Sequence, residues 1–150
     1  MDKSLRDTFA LALLMGLVLG VRLGCVYALV FMPFHPNFIY IGILQWVGFA
    51  VHPFLIFTVF YFHGRKLDLK AKLKSVIVLL FLGLYAGNVL GHAATLQVLT
   101  HLYESNSFFG TVLMSLFPTI IISAFFVALS ASAIAYIRNI KNKNVKRRRG

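Results

Sequence analysis

Between Phe9 and Phe34 the chain reads FALALLMGLVLGVRLGCVYALVFMPF, an apolar run interrupted by a single charged residue, Arg22. About 20 such residues are enough for a helix to cross the hydrocarbon core of a bilayer. A helix is stable there because its backbone N–H and C=O groups bond to each other, and the hydrocarbon core of the bilayer offers them no other partners. The run therefore predicts a transmembrane helix over residues 9–34.

Three further segments share this apolar character and this length. They cover residues 38–62, 75–100 and 108–137. We therefore predict an all-α fold, a polytopic membrane protein whose four transmembrane helices form a four-helix bundle. The helices make one domain over residues 1–150. Its last part, residues 138–150, is a basic tail, and residues 141–149 of this tail are expected to be disordered.

The composition of the 150-residue chain excludes a water-soluble fold. Hydrophobic residues make up 59% and charged residues 13% of the chain. A soluble domain is usually about a quarter charged, and a water-soluble fold could not hide this much apolar surface. A single cysteine, Cys25, excludes an internal disulfide and any metal site built from several cysteines.

Basic residues mark one side of the predicted membrane. Of the 15 lysines and arginines, two precede the first span, five lie between the second and third, and seven follow the fourth, so that only Arg22 lies elsewhere. Loops with an excess of Lys and Arg stay in the cytoplasm. The distribution predicts a multi-pass protein of the cell membrane with both termini in the cytoplasm.

The polybasic tail predicts contact with the membrane surface. Each basic residue near an anionic surface contributes about 1 kcal/mol of attraction. We expect Arg147, Arg148 and Arg149 to contact anionic lipid headgroups, and we do not expect nucleic acid as a partner. The other expected partners are further copies of this chain or the subunits of a membrane complex.

Glycines recur at every fourth residue in the first and third predicted helices. They are Gly16, Gly20, Gly24, Gly83, Gly87 and Gly91. Because glycine lets two backbones approach closely, these stripes predict that the first and third helices pack together. Pro53 and Pro118 follow the two stripes at similar distances, which indicates a 2+2 parallel repeat of helical hairpins. The fourth helix is expected to add a small-residue face through Ala124, Ala128 and Ser132.

Arg22 lies near the middle of the first predicted span. A charge at that depth costs at least about 2.5–3.5 kcal/mol, and no predicted span contains an acidic residue. One interpretation is functional: an anion site, a gate or a subunit contact. The other is a structural arginine bound to carbonyls and a buried water. The side chain points about 200° around the helix from Gly20, which favours contact with the second helix, the fourth helix or a partner.

Other polar residues lie at a similar depth. Gln45, His52, Asn88 and His92 are expected to form one buried polar cluster with Arg22. His52 and His92 are the candidate metal ligands of this cluster. Each histidine alone is interpreted as a helix-packing residue, and no cofactor is expected. The alternative is a haem b held by the two imidazoles in a helical bundle.

Signatures of enzymes are missing from the sequence. The spans contain no paired carboxylates, and the chain has no histidine-rich metal motif and no glycine-rich phosphate loop. Ser115, Ser123, Ser130 and Ser132 are interpreted as helix-packing serines unless a base lies nearby. We expect a non-enzymatic transporter, channel or permeability factor. The alternatives are a structural or redox anchor subunit of a larger membrane complex, and a membrane enzyme that uses a histidine.

Overall fold

The computed structural model describes residues 3–31, 36–67, 73–100 and 108–147. Four helices account for nearly all of them: α1 (Lys3–Phe31), α2 (Pro36–Lys66), α3 (Leu73–Thr100) and α4 (Phe108–Arg147). No strand occurs in these four ranges, and the predicted all-α fold is confirmed. The main helix contacts form a ring in the order α1, α3, α4, α2.

Three of the helices are long and apolar enough to cross a membrane. The qualifying segments are Lys3–Tyr27 in α1, Leu73–Val98 in α3 and Phe109–Asn144 in α4. Large apolar side chains also cover the outer surface of the bundle, among them Phe54, which is 75% exposed, and Phe117, which is 81% exposed. A surface of this kind is consistent with a membrane environment, because lipid solvates apolar side chains.

Helix α4 is longer than its predicted span. It continues to Arg147, so the prediction of disorder is wrong for residues 141–147. Extending an existing helix avoids the cost of nucleating a new one. The Lys141 side chain also holds this extension against α2, because its Nζ donates to the backbone carbonyls of Gly64 (3.5 Å), Leu67 (3.2 Å) and Arg65.

The glycine stripes of α1 and α3 face each other. A β-carbon on Gly16 would collide with the carbonyl oxygen of Leu84, and one on Gly83 would lie 2.9 Å from the carbonyl oxygen of Phe9. The contacts advance in the same direction along both helices, since Gly24 meets Thr95 further on. The two helices are therefore parallel, and their backbones touch with no side chain between them.

The buried face of α4 differs from the predicted one. Ala124, Ala128 and Ser132 are exposed, so the prediction that they pack inside is wrong. The buried positions between Thr111 and Ser123 are instead hydroxyl-bearing residues four apart: Thr111, Ser115, Thr119 and Ser123. Hydroxyls fit an apolar interior when they donate to the carbonyl one turn earlier, as the Ser115 and Thr119 hydroxyls do, at 2.8 and 2.6 Å.

The apolar core occupies the half of the bundle in which α1 and α3 begin and α2 and α4 end, which we name the basic end. Its fully buried side chains include Leu19, Ile56, Phe60, Val76, Leu80, Leu84, Phe126 and Ile134. Close packing extends to α2 and α4, because a β-carbon on Gly64 would lie 3.3 Å from the Cα of Ile134. The opposite half carries most of the buried polar side chains of the described helices.

Candidate functional site

The Arg22 side chain extends from α1 to α2. Its Nη1 donates to the carbonyl oxygen of Gly48 and lies 3.2 Å from Nδ1 of His52. A guanidinium can only donate, so Nδ1 of His52 is the acceptor and the neutral ring carries its proton on Nε2. Contact with α2 is one of the three directions that helical geometry favours for Arg22.

Helix α2 is shaped to receive this guanidinium. A β-carbon on Gly48 would lie 3.3 Å from Cζ of Arg22, so a larger residue there would crowd the arginine. Pro53 follows His52 inside the helix. Because proline has no backbone N–H, the carbonyl of Phe49, one turn earlier, loses its helical hydrogen bond. The pairing of Arg22 with α2 thus depends on a small residue at position 48.

The charge of Arg22 meets only neutral acceptors in the described structure. Within the ranges that the structure covers, the one acidic residue is Asp7. It lies on α1 fifteen positions before Arg22, a distance of about 22 Å along the helix at about 1.5 Å per residue. A carbonyl and an imidazole nitrogen offset a full positive charge only in part, which leaves Arg22 able to attract an anion.

A second polar group, the α3–α4 seam, consists of Asn88 and His92 on α3 with Ser115, Thr119 and Ser123 on α4. The Asn88 Nδ2 donates to the Ser123 hydroxyl (3.0 Å) and to the carbonyl of Thr119 (3.3 Å). His92 Nδ1 lies 2.8 Å from the Ser115 hydroxyl, which itself donates within α4. Nδ1 of His92 is therefore the donor, and Nε2 of the neutral ring is an acceptor.

Four buried polar atoms have no hydrogen-bond partner among the described residues: Ser4 Oγ near the start of α1, and His52 Nε2, Asn88 Oδ1 and His92 Nε2 at this site. The side chains of His52, Asn88 and His92 are 0%, 0% and 1% exposed, so bulk water does not reach them. The histidine rings meet aromatic rings edge to face, His52 against Phe126 and His92 against Tyr27. An unsatisfied buried group costs about 1–3 kcal/mol, and such groups often mark a functional role or a bound water.

The structure divides the predicted polar cluster in two. Arg22 and His52 join α1 to α2, whereas Asn88 and His92 join α3 to α4. Gly20 of α1 lies beside Asn88 and His92. A β-carbon added to Gly20 would collide with the carbonyl of Asn88 and would lie 2.7 Å from the amide nitrogen of His92. The side chain of Gln45 lies outside the described residues.

Sequence reasoning did not assign Gly48 and Ser115 to the site. Gly48 carries no side-chain signal, and its role appears only when Arg22 lies against it. Ser115 was interpreted as a packing serine, but it has a histidine beside it. The four-residue spacing of hydroxyl residues along α4 is the sequence signal that could have assigned Ser115 to a buried polar face. No group of three or more His, Cys, Asp or Glu residues that could hold a metal occurs in the described part of the chain.

The arrangement places one cation and several hydrogen-bonding groups inside an otherwise apolar helical bundle. Such groups can bind a small polar solute and can exchange a proton with it, through the free nitrogens of the two histidines. Comparison with known proteins adds nothing to this chemistry: no protein family, no curated protein and no solved structure matches the chain.

Proposed function

We propose that the protein is a non-enzymatic membrane transporter or channel that conducts a small anion past Arg22. The observation that carries this proposal is the half-buried Arg22 charge in α1, whose partners among the described residues are the neutral Gly48 carbonyl and His52 ring. A charge deep in a membrane costs at least about 2.5–3.5 kcal/mol, and residues of this kind often mark ion pathways. A purely structural position on α1 could use a neutral residue.

The protonated Nε2 of His52 supports an anion as the solute. It is a buried donor without a partner among the described residues. It lies on the side of the ring away from Arg22, so it can donate to an anion at a second position along the pathway. The guanidinium adds further N–H donors in a planar array. A cation would instead meet the repulsion of Arg22, which makes cation transport through the same site unfavourable.

The proposed pathway requires α2 to cross the membrane as the fourth span, with both termini in the cytoplasm. Helix α2 has 31 residues and packs on α1 and α4. The basic residues of the described helices other than Arg22 cluster at the basic end, which supports this orientation under the positive-inside rule. The glycine-striped α1 and α3, each followed by a helix with an internal proline, support a parallel 2+2 repeat.

Anion flux through proteoliposomes tests the role of Arg22. We expect Arg22→Leu to abolish chloride flux while keeping thermal stability, because leucine removes the cost of the buried charge. Arg22→Lys should restore only part of the flux, since a compact ammonium lacks the planar fork of five donors. Lys74→Leu is the matched control, because it also removes a positive charge, but at the exposed start of α3.

The outcomes of the flux experiment separate the two interpretations of Arg22. A stable Arg22→Leu protein with full chloride flux would falsify the proposed function. An Arg22→Leu protein that loses thermal stability would show that the arginine is structural. Loss of flux in Lys74→Leu as well would attribute the effect to overall charge, and it would count against a specific site.

The rival function is an anchor subunit that holds haem b between His52 and His92. His92 fits this role, because its Nδ1 donates to Ser115 and leaves Nε2 free as a ligand. His52 does not fit, because Arg22 occupies its Nδ1 and the proton therefore lies on Nε2. We expect the purified protein to lack a Soret absorption band. A band that disappears in His92→Ala would favour the anchor subunit instead.

We also propose that the basic end contacts the cytoplasmic leaflet. The helical extension of α4 carries basic residues out to Arg147, and Arg148 and Arg149 add two more charges to bind anionic headgroups.

Arg22 is half-buried in a single chain, so a second copy or another membrane subunit can contact the same face of α1.

A further inference from the structure

A cavity of about 490 Å³ opens at the basic end, between the beginning of α1 and the end of α2. Small-molecule sites commonly have volumes of about 300–1,000 Å³. The residues at its mouth are Asp7 and Lys66, while Leu11 and Phe62 lie one helical turn further from the basic end. The cavity therefore combines a charged mouth with an apolar interior.

Asp7 gives the mouth a charge that is rare in this protein. It is the sole acidic residue in the part of the chain that the structure describes. Among the described residues its carboxylate has one ion-pair contact, a long one of 4.0 Å to Nε of Arg6, and both side chains are more than half exposed. Lys66, on the other helix, supplies a positive charge. One cavity thus offers an anion and a cation on two different walls.

Hydrogen bonds fix the wall of the cavity behind these charges. His63 lines it, and its Nε2 lies 2.8 Å from the hydroxyl of Thr8. That hydroxyl donates to the carbonyl of Ser4 at 2.8 Å, so His63 is the donor of the pair. This hydrogen bond joins α1 to α2 beside the cavity, and Thr8 is fully buried.

The level of the cavity indicates what surrounds it. Basic side chains of all four helices lie at the same end of the bundle: Lys3, Arg6, Arg65, Lys66, Lys74 and Lys141. Basic residues that flank apolar spans typically lie at the level of the lipid headgroups. A cavity with its mouth at this level and its apolar part towards the bundle centre matches the arrangement of a phospholipid.

We propose that this cavity binds the headgroup of phosphatidylethanolamine, with the lipid ammonium at Asp7 and the phosphate at Lys66. The basic surface attracts any anionic lipid without selecting one. A carboxylate inside the cavity instead favours a lipid that also carries a cation. Ethanolamine presents a primary ammonium with three N–H donors, whereas the quaternary ammonium of choline has none. Thr58 of α2 adds a hydroxyl to the lining of the cavity.

Native mass spectrometry tests this assignment on the purified full chain. The protein is equilibrated with equal amounts of phosphatidylethanolamine, phosphatidylcholine and phosphatidylglycerol in detergent micelles. We expect the ethanolamine lipid to be retained ahead of the choline lipid, whereas the basic surface can retain phosphatidylglycerol independently of the cavity. Asp7→Asn should lower its preference over phosphatidylcholine about five-fold, which corresponds to about 1 kcal/mol. Asp7→Glu, which keeps the charge, should retain the preference.

Two further variants separate the cavity from the basic surface. Lys66→Gln should weaken the retention of phosphatidylethanolamine and phosphatidylcholine together, because both lipids carry the phosphate. Lys74→Gln removes the same charge from an exposed position of α3 that does not line the cavity, and it should change the retention of neither lipid. Thermal stability is measured for every variant, and Asp7 is exposed enough that its replacement should not unfold the protein.

Several results would overturn the assignment. They are an unchanged preference for phosphatidylethanolamine over phosphatidylcholine in a folded Asp7→Asn protein, and equal losses in Lys66→Gln and Lys74→Gln. Displacement of the lipid by soluble glycerophosphoethanolamine, which has no acyl chains, would identify the ligand as a free headgroup instead. The assignment does not rest on chloride flux, because Asp7 and Arg22 lie about 22 Å apart along α1.

Discussion

At the scale of single residues, the polar groups of this bundle depend on pairings between helices. His92 illustrates the point, because its Nδ1 meets Ser115 on α4 while its Nε2 has no partner among the described residues. The Ser115 hydroxyl already donates to the carbonyl of Thr111. One serine therefore determines which nitrogen of the buried histidine keeps its proton, and hence which nitrogen stays free to accept one.

We expect Ser115→Ala to destabilise the protein by about 1–3 kcal/mol, because it leaves Nδ1–H of His92 buried without an acceptor. The matched control is Ser132→Ala, which makes the same chemical change at an exposed position of α4 and should stay within about 0.5 kcal/mol. Thermal unfolding in detergent measures both variants. Equal stability of the two would show that the His92–Ser115 hydrogen bond contributes nothing.

At the scale of helices, the sequence showed some contacts and concealed others. The glycine spacing of α1 and α3 is visible because backbone contact needs only a small residue at every fourth position. Helix α4 carries two stripes of small residues with the same spacing, one with Ala124, Ala128 and Ser132 and one with the hydroxyl residues from Thr111 to Ser123. Periodicity alone could not show which of the two faces the bundle interior. The hydroxyl stripe faces inward because Asn88 and His92 of α3 need hydrogen-bond partners. Such a requirement belongs to a pair of helices and is absent from either helix alone.

The contact between α1 and α3 makes a strong prediction about Gly87. A β-carbon there would collide with the carbonyl oxygen of Leu13, so Gly87→Leu should force the backbones apart and disrupt the bundle. Gly20→Leu should act in the same way from the other helix. Ala128→Leu, at an exposed position of α4, is the control. Normal accumulation and stability of both glycine variants would show that the close contact does not stabilise the protein.

At the scale of the whole molecule, the two ends of the bundle differ in both charge and packing. The apolar core and the basic residues of the described helices other than Arg22 lie at one end. Most of the buried polar atoms that have no partner among the described residues lie towards the other end. The all-α fold could be predicted because apolar length alone specifies it. The division of the polar cluster could not, since it depends on Arg22 reaching α2 and not α3.

Cysteine labelling tests the orientation of the whole chain. We expect cysteines introduced near Asp68 and Lys143 to react with an impermeant reagent only from the cytoplasm. Those near Asn37 and Asn106 should react only from outside, because the positive-inside rule keeps the basic loop and tail in the cytoplasm. Replacement of Cys25 by alanine provides the unlabelled background. Labelling of the Asn106 position from the cytoplasmic side would contradict the proposed topology.

The parallel contact of α1 and α3 also has a consequence for biogenesis. The two glycine stripes are separated along the chain by α2, so Gly16 leaves the ribosome well before Gly83. At about 5–20 residues per second, α1 waits for about 3–13 s with its stripe uncovered. Two neighbouring nascent chains would expose the same stripe during that interval. Exchange of α1 between them is therefore the assembly error to which this architecture is most prone.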